Sequence, residues 1–208
     1  MSLIILGTVF AGICIVRHFD RAATAEIRIR PGILAAGLLG SGILWQSYSG
    51  KAVLLMSVLA VILGCLLFAC VTDTAICQVY NFTWWVAEAA GAVLFWNRCG
   101  HAPDAARGVL QLSLFCIVQL LVFVRMYGRG DCYAFCVCAV AEAGLGMGFL
   151  GFLIHMTIAF VLLVFVQSLN RNIGPGGRLK IPVPFLPYIT AAFYLVLVLK
   201  GFRGIFMR

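Results

Sequence analysis

The stretch Val109 to Phe152, VLQLSLFCIVQLLVFVRMYGRGDCYAFCVCAVAEAGLGMGFLGF, decides how the chain is read. Its first run, Val109 to Val124, has no charge, and its second, Cys132 to Phe152, has one, Glu142. Two apolar runs of this kind approach the roughly 20 residues a membrane crossing needs. Between them lies Gly128-Arg129-Gly130-Asp131. A carboxylate drawn into hydrocarbon without a partner is strongly unfavourable. The two glycines free the backbone to turn and let another chain approach. Asp131 then opens the next helix, whose dipole favours a negative charge.

Composition supports the same reading. Of 208 residues, 63% are hydrophobic and 11% charged, and the mean hydropathy is +1.08. A soluble domain has no use for so much apolar surface. The expectation is an all-α, polytopic helical membrane protein, a single domain over 1–208 with no room for a separate soluble one. About eight spans are expected, with a range of six to eight. They run from Ser2 to Val16, Pro31 to Tyr48, Ala52 to Val71, Trp84 to Trp96, Val109 to Met126, Cys132 to Gly148, Phe149 to Leu169, and from the proline-broken Pro182–Pro187 stretch to Leu199. Trp84 and Trp96 are expected as interfacial anchors. Gly144, Gly146 and Gly148 would let helices pack closely.

The net charge of +8 is read as span-capping rather than nucleic-acid binding. The expected partner on this ground is membrane lipid. Nine cysteines lie in apolar surroundings with no Cys-x-x-Cys pair, and Cys132, Cys136 and Cys138 lack the companions of a zinc site. No metal or cofactor is expected.

Asp131 is not the only carboxylate at a span end. Seven residues are acidic, and Asp20, Glu26 and Asp104 lie in polar loops. Asp73 ends the run Ala52 to Val71 and has no basic residue nearby in sequence. Two adjacent carboxylates do not both ionise easily, so one keeps a proton. The ionised member can activate water while the protonated member donates to a carbonyl oxygen, which is aspartyl hydrolysis of a peptide bond.

The loops alternate sides. Those at 17–30, 72–83, 125–131 and 170–182 carry nine basic residues, against Lys51, Arg98 and Arg107 opposite. The excess of Lys and Arg places the first set, with both aspartates, in the cytoplasm. Lys200, Arg203 and Arg208 in the C-terminal tail go against that bias.

These residues resemble the type IV prepilin peptidases, membrane aspartyl proteases with a Gly-x-Gly-Asp motif. The likeness runs over about 52–199. Asp73 is followed eight residues later by Asn81, which closes Val79-Tyr80-Asn81 where the family has an Ile-Pro-Asn-like triplet. Gly128, Gly130 and Asp131 match the second motif; Tyr133 stands where the family often has lysine. Pro184-Phe185-Leu186-Pro187 matches three of four positions of a Pro-Phe-Gly-Pro stretch. The resemblance implies Asp73 and Asp131 as the catalytic pair. Gly128, Gly130, Asn81, Pro184 and Pro187 are its supporting motif. It implies a substrate whose leader is cut at the cytoplasmic face of a prokaryotic inner membrane. The cysteine-bearing segment linked to N-methylation in larger members is absent, so methyl transfer is not implied.

The alternative is a small transporter or substrate-binding membrane subunit that uses Asp73, Asp131, Glu88 and Glu142 as proton or cation sites. Glu88 and Glu142 are expected to serve structural pairing or to line a polar cavity, and His155 to be a satisfied core residue. Arg125 and Arg129 either hold an acidic group of substrate or anchor the span end.

Overall fold

A computed structural model describes residues 1–20, 27, 30–48, 52–100, 104–170, 172 and 183–206, with backbone alone for 202–206. Arg21, Glu26, Arg28, Lys51, Arg171, Arg178, Lys180, Pro182 and Arg208 lie outside the described residues. Among those described, the regular structure is entirely helical. The α-helices are α1 (Ser2–Phe19), α2 (Pro31–Ser47), α3 (Val53–Ile76), α4 (Asn81–Cys99), α5 (Ala105–Leu121), α6 (Arg129–Gly144), α7 (Phe149–Leu169) and α8 (Leu186–Phe206). A 3-10 turn, Phe123–Arg125, follows α5. Among the described residues four helices are long and apolar enough to cross a membrane: Ser2–Phe19, Val53–Ile76, Ala105–Arg125 with its 3-10 turn, and Phe149–Leu169.

Helix direction follows from close contacts. Thr8 faces Gly64 and Gly12 faces Phe68, so α1 and α3 are parallel. Gly91 faces Val140 and Leu94 faces Gly144, so α4 and α6 are parallel. Gln111 accepts from the Phe149 N–H and the Gln119 amide donates to Met156 Sδ, which aligns α5 with α7. Gly40 against Tyr194 and Ser47 against Gly201 align α2 with α8. Asp73 meets Leu186 and Cys70 meets Thr190, while His155 meets Phe193 and Phe160 meets Phe185, so α3 and α7 run against α8. Cys116 meets Cys136 and Gln119 meets Tyr127, so α5 runs against α6. Odd-numbered helices therefore run one way and even-numbered helices the other.

The central element is α3, 67% of whose most apolar window is buried, against 11% for α5 and 17% for α7. Its sequence carries no charge before Asp73, so every face can pack against protein. The peripheral helices turn Leu110, Leu121, Leu150, Val161 and Phe165 outward. Such an apolar exterior suits lipid as solvent. In lipid, helices associate by close packing rather than by exclusion from water. Gly144 shows this: a Cβ there would lie 2.7 Å from Leu94 Cβ and 2.9 Å from the Phe95 nitrogen. Only glycine allows α6 that close to α4.

Several boundaries differ from those expected. The third helix does not stop at Val71; it continues through Asp73 to Ile76. No glycine or proline interrupts Thr72–Ile76, and Thr72 and Thr74 donate back to the carbonyls of Ala69 and Cys70. Cys77, at φ 53, closes the helix in a left-handed cap, so the connection to α4 spans only residues 77–80. Helix α4 starts at Asn81 rather than Trp84. Trp84 is buried, so the outward tryptophans of α4 are Trp85 and Trp96. Helix α6 ends at Gly144 rather than Gly148. Of its three glycines only Gly144 serves helix packing; Gly146, at φ 83, belongs to the turn into α7.

Candidate active site

The two aspartates are brought together. Asp73 lies in the last turn of α3 and Asp131 in the first turn of α6, 58 residues apart in sequence. Both line one cleft of about 420 Å³, and their carboxylates interact electrostatically. Cys77, Val79, Asn81, Trp84, Tyr133 and Leu186 complete much of the wall.

Local structure explains each position. Gly128 is the N-cap of α6, which makes Asp131 its third residue. The Gly128 N–H donates back to the Asp131 carboxylate, as the third residue of a capping box receives it. The negative charge also sits where the helix dipole is positive. Asp73 meets a different helix end. Pro187, the second residue of α8, has no N–H to lose at a helix start. The neighbouring Leu186 N–H is free of the helix ladder and faces the Asp73 carboxylate as a donor. The Pro184–Pro187 stretch thus reaches Asp73 through the backbone of Leu186. Asp73 Oδ2 is buried and has no hydrogen-bond partner among the described residues.

The glycines act otherwise than expected. Gly128 takes φ −57, open to any residue, and Gly130 does not take a positive φ. A Cβ at Gly130 would only touch Val79, 3.8 Å away, and one at Gly128 would lie 3.8 Å from Asp131 Oδ2. Neither a sharp turn nor a tight chain approach requires them. Their bare Cα atoms leave the cleft floor low beside Asp131. Asn81 lines the cleft as the first residue of α4, while Tyr80 occupies the N-cap position and packs on Phe68 and Phe82. Arg129 lines the cleft and is exposed; Arg125 lies outside it, in the 3-10 turn.

Tyr127 is a positioning residue that the motif reading missed. Its hydroxyl donates to Gln119 Oε1 at 2.5 Å, and its ring packs against Phe123, Phe135, Phe160 and Phe185. It pins the segment just before Gly128 to α5, α6, α7 and the start of α8. Only its place beside the Gly-x-Gly-Asp stretch could have marked it.

The other carboxylates are elsewhere. Glu142 is fully buried with Oε1 2.8 Å from His155 Nδ1. His155 Nε2 lies 3.0 Å from the Ile189 carbonyl oxygen, so both ring nitrogens have partners. The structural pairing expected of Glu142 and the satisfied core role expected of His155 are both present. Glu88 is half-buried on α4 and faces Cys116 and Cys136 electrostatically. Cys132, Cys136 and Cys138 are buried in α6.

No family model matches this chain, and neither the curated proteins nor the solved structures contain a match to it. The reading of the cleft therefore rests on its own geometry.

Proposed function

We propose that this chain is a multi-pass aspartyl endopeptidase of the prepilin peptidase type. It would cut the leader of pilin-like precursors at the cytoplasmic face of a prokaryotic inner membrane. The observation that supports this best is the meeting of Asp73 and Asp131 in one open cleft. All eight helices would cross the bilayer, and their alternation fits the excess of basic residues on the aspartate side.

In this mechanism a water sits between the carboxyl groups and the scissile carbonyl. One aspartate, ionised, takes a proton from the water as its oxygen bonds to the carbonyl carbon. The other, protonated, donates to the carbonyl oxygen. Collapse of the tetrahedral intermediate passes a proton to the leaving nitrogen and breaks the C–N bond. The roles belong to the pair, whose titration is shared. Arg129 at the rim is placed to meet an acidic group of the substrate.

Co-expression with a candidate prepilin tests the reading, with mass measurement of the precursor's N-terminus. The expected product lacks its leader. A precursor that stays full-length with every candidate offered would count against the activity. A transporter is the second reading, and the buried Glu142–His155 pair is the observation that favours it. It requires Glu142→Gln to abolish uptake and Asp73→Asn to spare it.

A further inference from the structure

A second cleft opens at the end of the bundle away from the aspartates. It encloses about 270 Å³ and is formed by the end of α4, the start of α5 and the turn between α6 and α7. Arg98, Arg107, Gln111, Gly146 and Gly148 are on its wall.

The cleft has a built seat for a guanidinium group. Gly146 takes φ 83, and a Cβ there would lie 2.3 Å from Arg98 Nη1. Both the backbone angle and the arginine exclude a side chain at 146. Gln111 is held as well, since its Oε1 accepts from the Phe149 N–H at 3.3 Å. Helices α5 and α7 start here with positive dipole ends, the Phe149 N–H of α7 being taken by Gln111, while α4 and α6 end here with negative ones, so the arginines supply the positive balance. Lys200 on α8 is near enough to interact with Arg98 and Glu142. One carboxylate, Asp104, lines the cleft against the two arginines, and the balance stays positive.

Depth and surroundings select the ligand. Trp96, 82% exposed, lies two residues before Arg98, where an outward tryptophan marks the headgroup layer. Leu110 and Leu114 follow Arg107 by three and seven residues, on the same face of α5, and both are exposed. A cationic seat at headgroup depth is thus continuous with an apolar strip pointing into the bilayer.

We infer that Arg98 and Arg107 seat the phosphate of an anionic phospholipid headgroup, whose acyl chain lies along Leu110 and Leu114. The site is independent of the peptidase reading. Two guanidinium groups suit a phosphate because each presents parallel N–H donors. A free phosphate ion shares that chemistry but gains nothing from the apolar strip.

The test is native mass spectrometry of the purified full chain in detergent, with equal amounts of phosphatidylglycerol and phosphatidylcholine. Wild type should retain phosphatidylglycerol preferentially. Each of Arg98→Ala and Arg107→Ala should weaken retention about fivefold, and the double variant more. Arg17→Ala with Arg30→Ala removes the same charge elsewhere and should retain the lipid as wild type does, which also controls for loss of fold. Equal retention by the double variant and wild type would overturn the site. Displacement of the lipid by an equal concentration of inorganic phosphate would overturn the lipid assignment and leave a free-anion site.

Discussion

The molecule holds two pairs of polar side chains, treated in opposite ways. Asp73 and Asp131 are like charges, half-exposed at helix ends, facing an open cleft. Glu142 and His155 are complementary, fully enclosed between α6 and α7, and closed off by the Ile189 carbonyl. A carboxyl and an imidazole 2.8 Å apart and sealed from water suit structural work. A like-sign pair reached by water is poor as structure, since each group raises the cost of ionising the other. Asp73 Oδ2 and Glu142 Oε2 are both buried without a hydrogen-bond partner among the described residues, so what separates the two carboxyl groups is that Asp73 borders a cleft. Sequence proximity to charge would not have separated the two pairs; enclosure does.

The largest effect should come from the open pair. Asp73→Asn or Asp131→Asn should each lower cleavage of a prepilin by about a thousandfold or more, and the double change should add little, because the two act as a unit. Measured turnover per folded protein checks this. Strictly multiplicative losses would mean that the aspartates do not act together.

The enclosed pair should show up in stability instead. His155→Ala leaves a buried carboxyl without its partner and should cost about 3–5 kcal/mol, read as a lower unfolding temperature in detergent. Joint replacement, Glu142→Met with His155→Leu, should recover most of it. Turnover per folded molecule should hardly change in either variant. If His155→Ala removes turnover and spares stability, the division of labour drawn here is wrong.

The smallest effect should be at Tyr127. Tyr127→Phe removes the bond to Gln119 and keeps the ring stack, so stability should fall by about 1 kcal/mol. Because the segment before Gly128 loosens, KM and kcat should shift by a fewfold together. An unchanged enzyme would show that the ring stack alone positions Asp131.

Much of this was legible from the residues. The apolar runs located the eight described helices, because charge is scarce and, where it falls inside a helix, lies mostly near a helix end. The carboxylate pair was legible because Asp73 closes one apolar run and Asp131 opens another, each next to motif residues. The helix ends were harder. Hydropathy falls at Thr72, yet the backbone stays helical to Ile76, since a polar residue does not break a helix as glycine or proline does. Trp84 and Trp85 are adjacent, and composition cannot say which faces inward. The Glu142–His155 contact joins residues thirteen apart on two successive helices, and only packing reveals it. The role of Pro187 in presenting the Leu186 N–H to Asp73 depends on where α8 begins in space.

The most direct test of the central claim is a distance between the two aspartate positions in the membrane. In a chain cleared of native cysteines, Asp73→Cys with Asp131→Cys should be bridged by a short thiol-to-thiol reagent. A protease cut between α4 and α5 should then leave the halves joined under denaturing conditions. Asp73→Cys with Arg98→Cys, at opposite ends of the bundle, should not be bridged. Failure to join positions 73 and 131, with both thiols shown to be reactive, would contradict a shared cleft and the peptidase reading built on it.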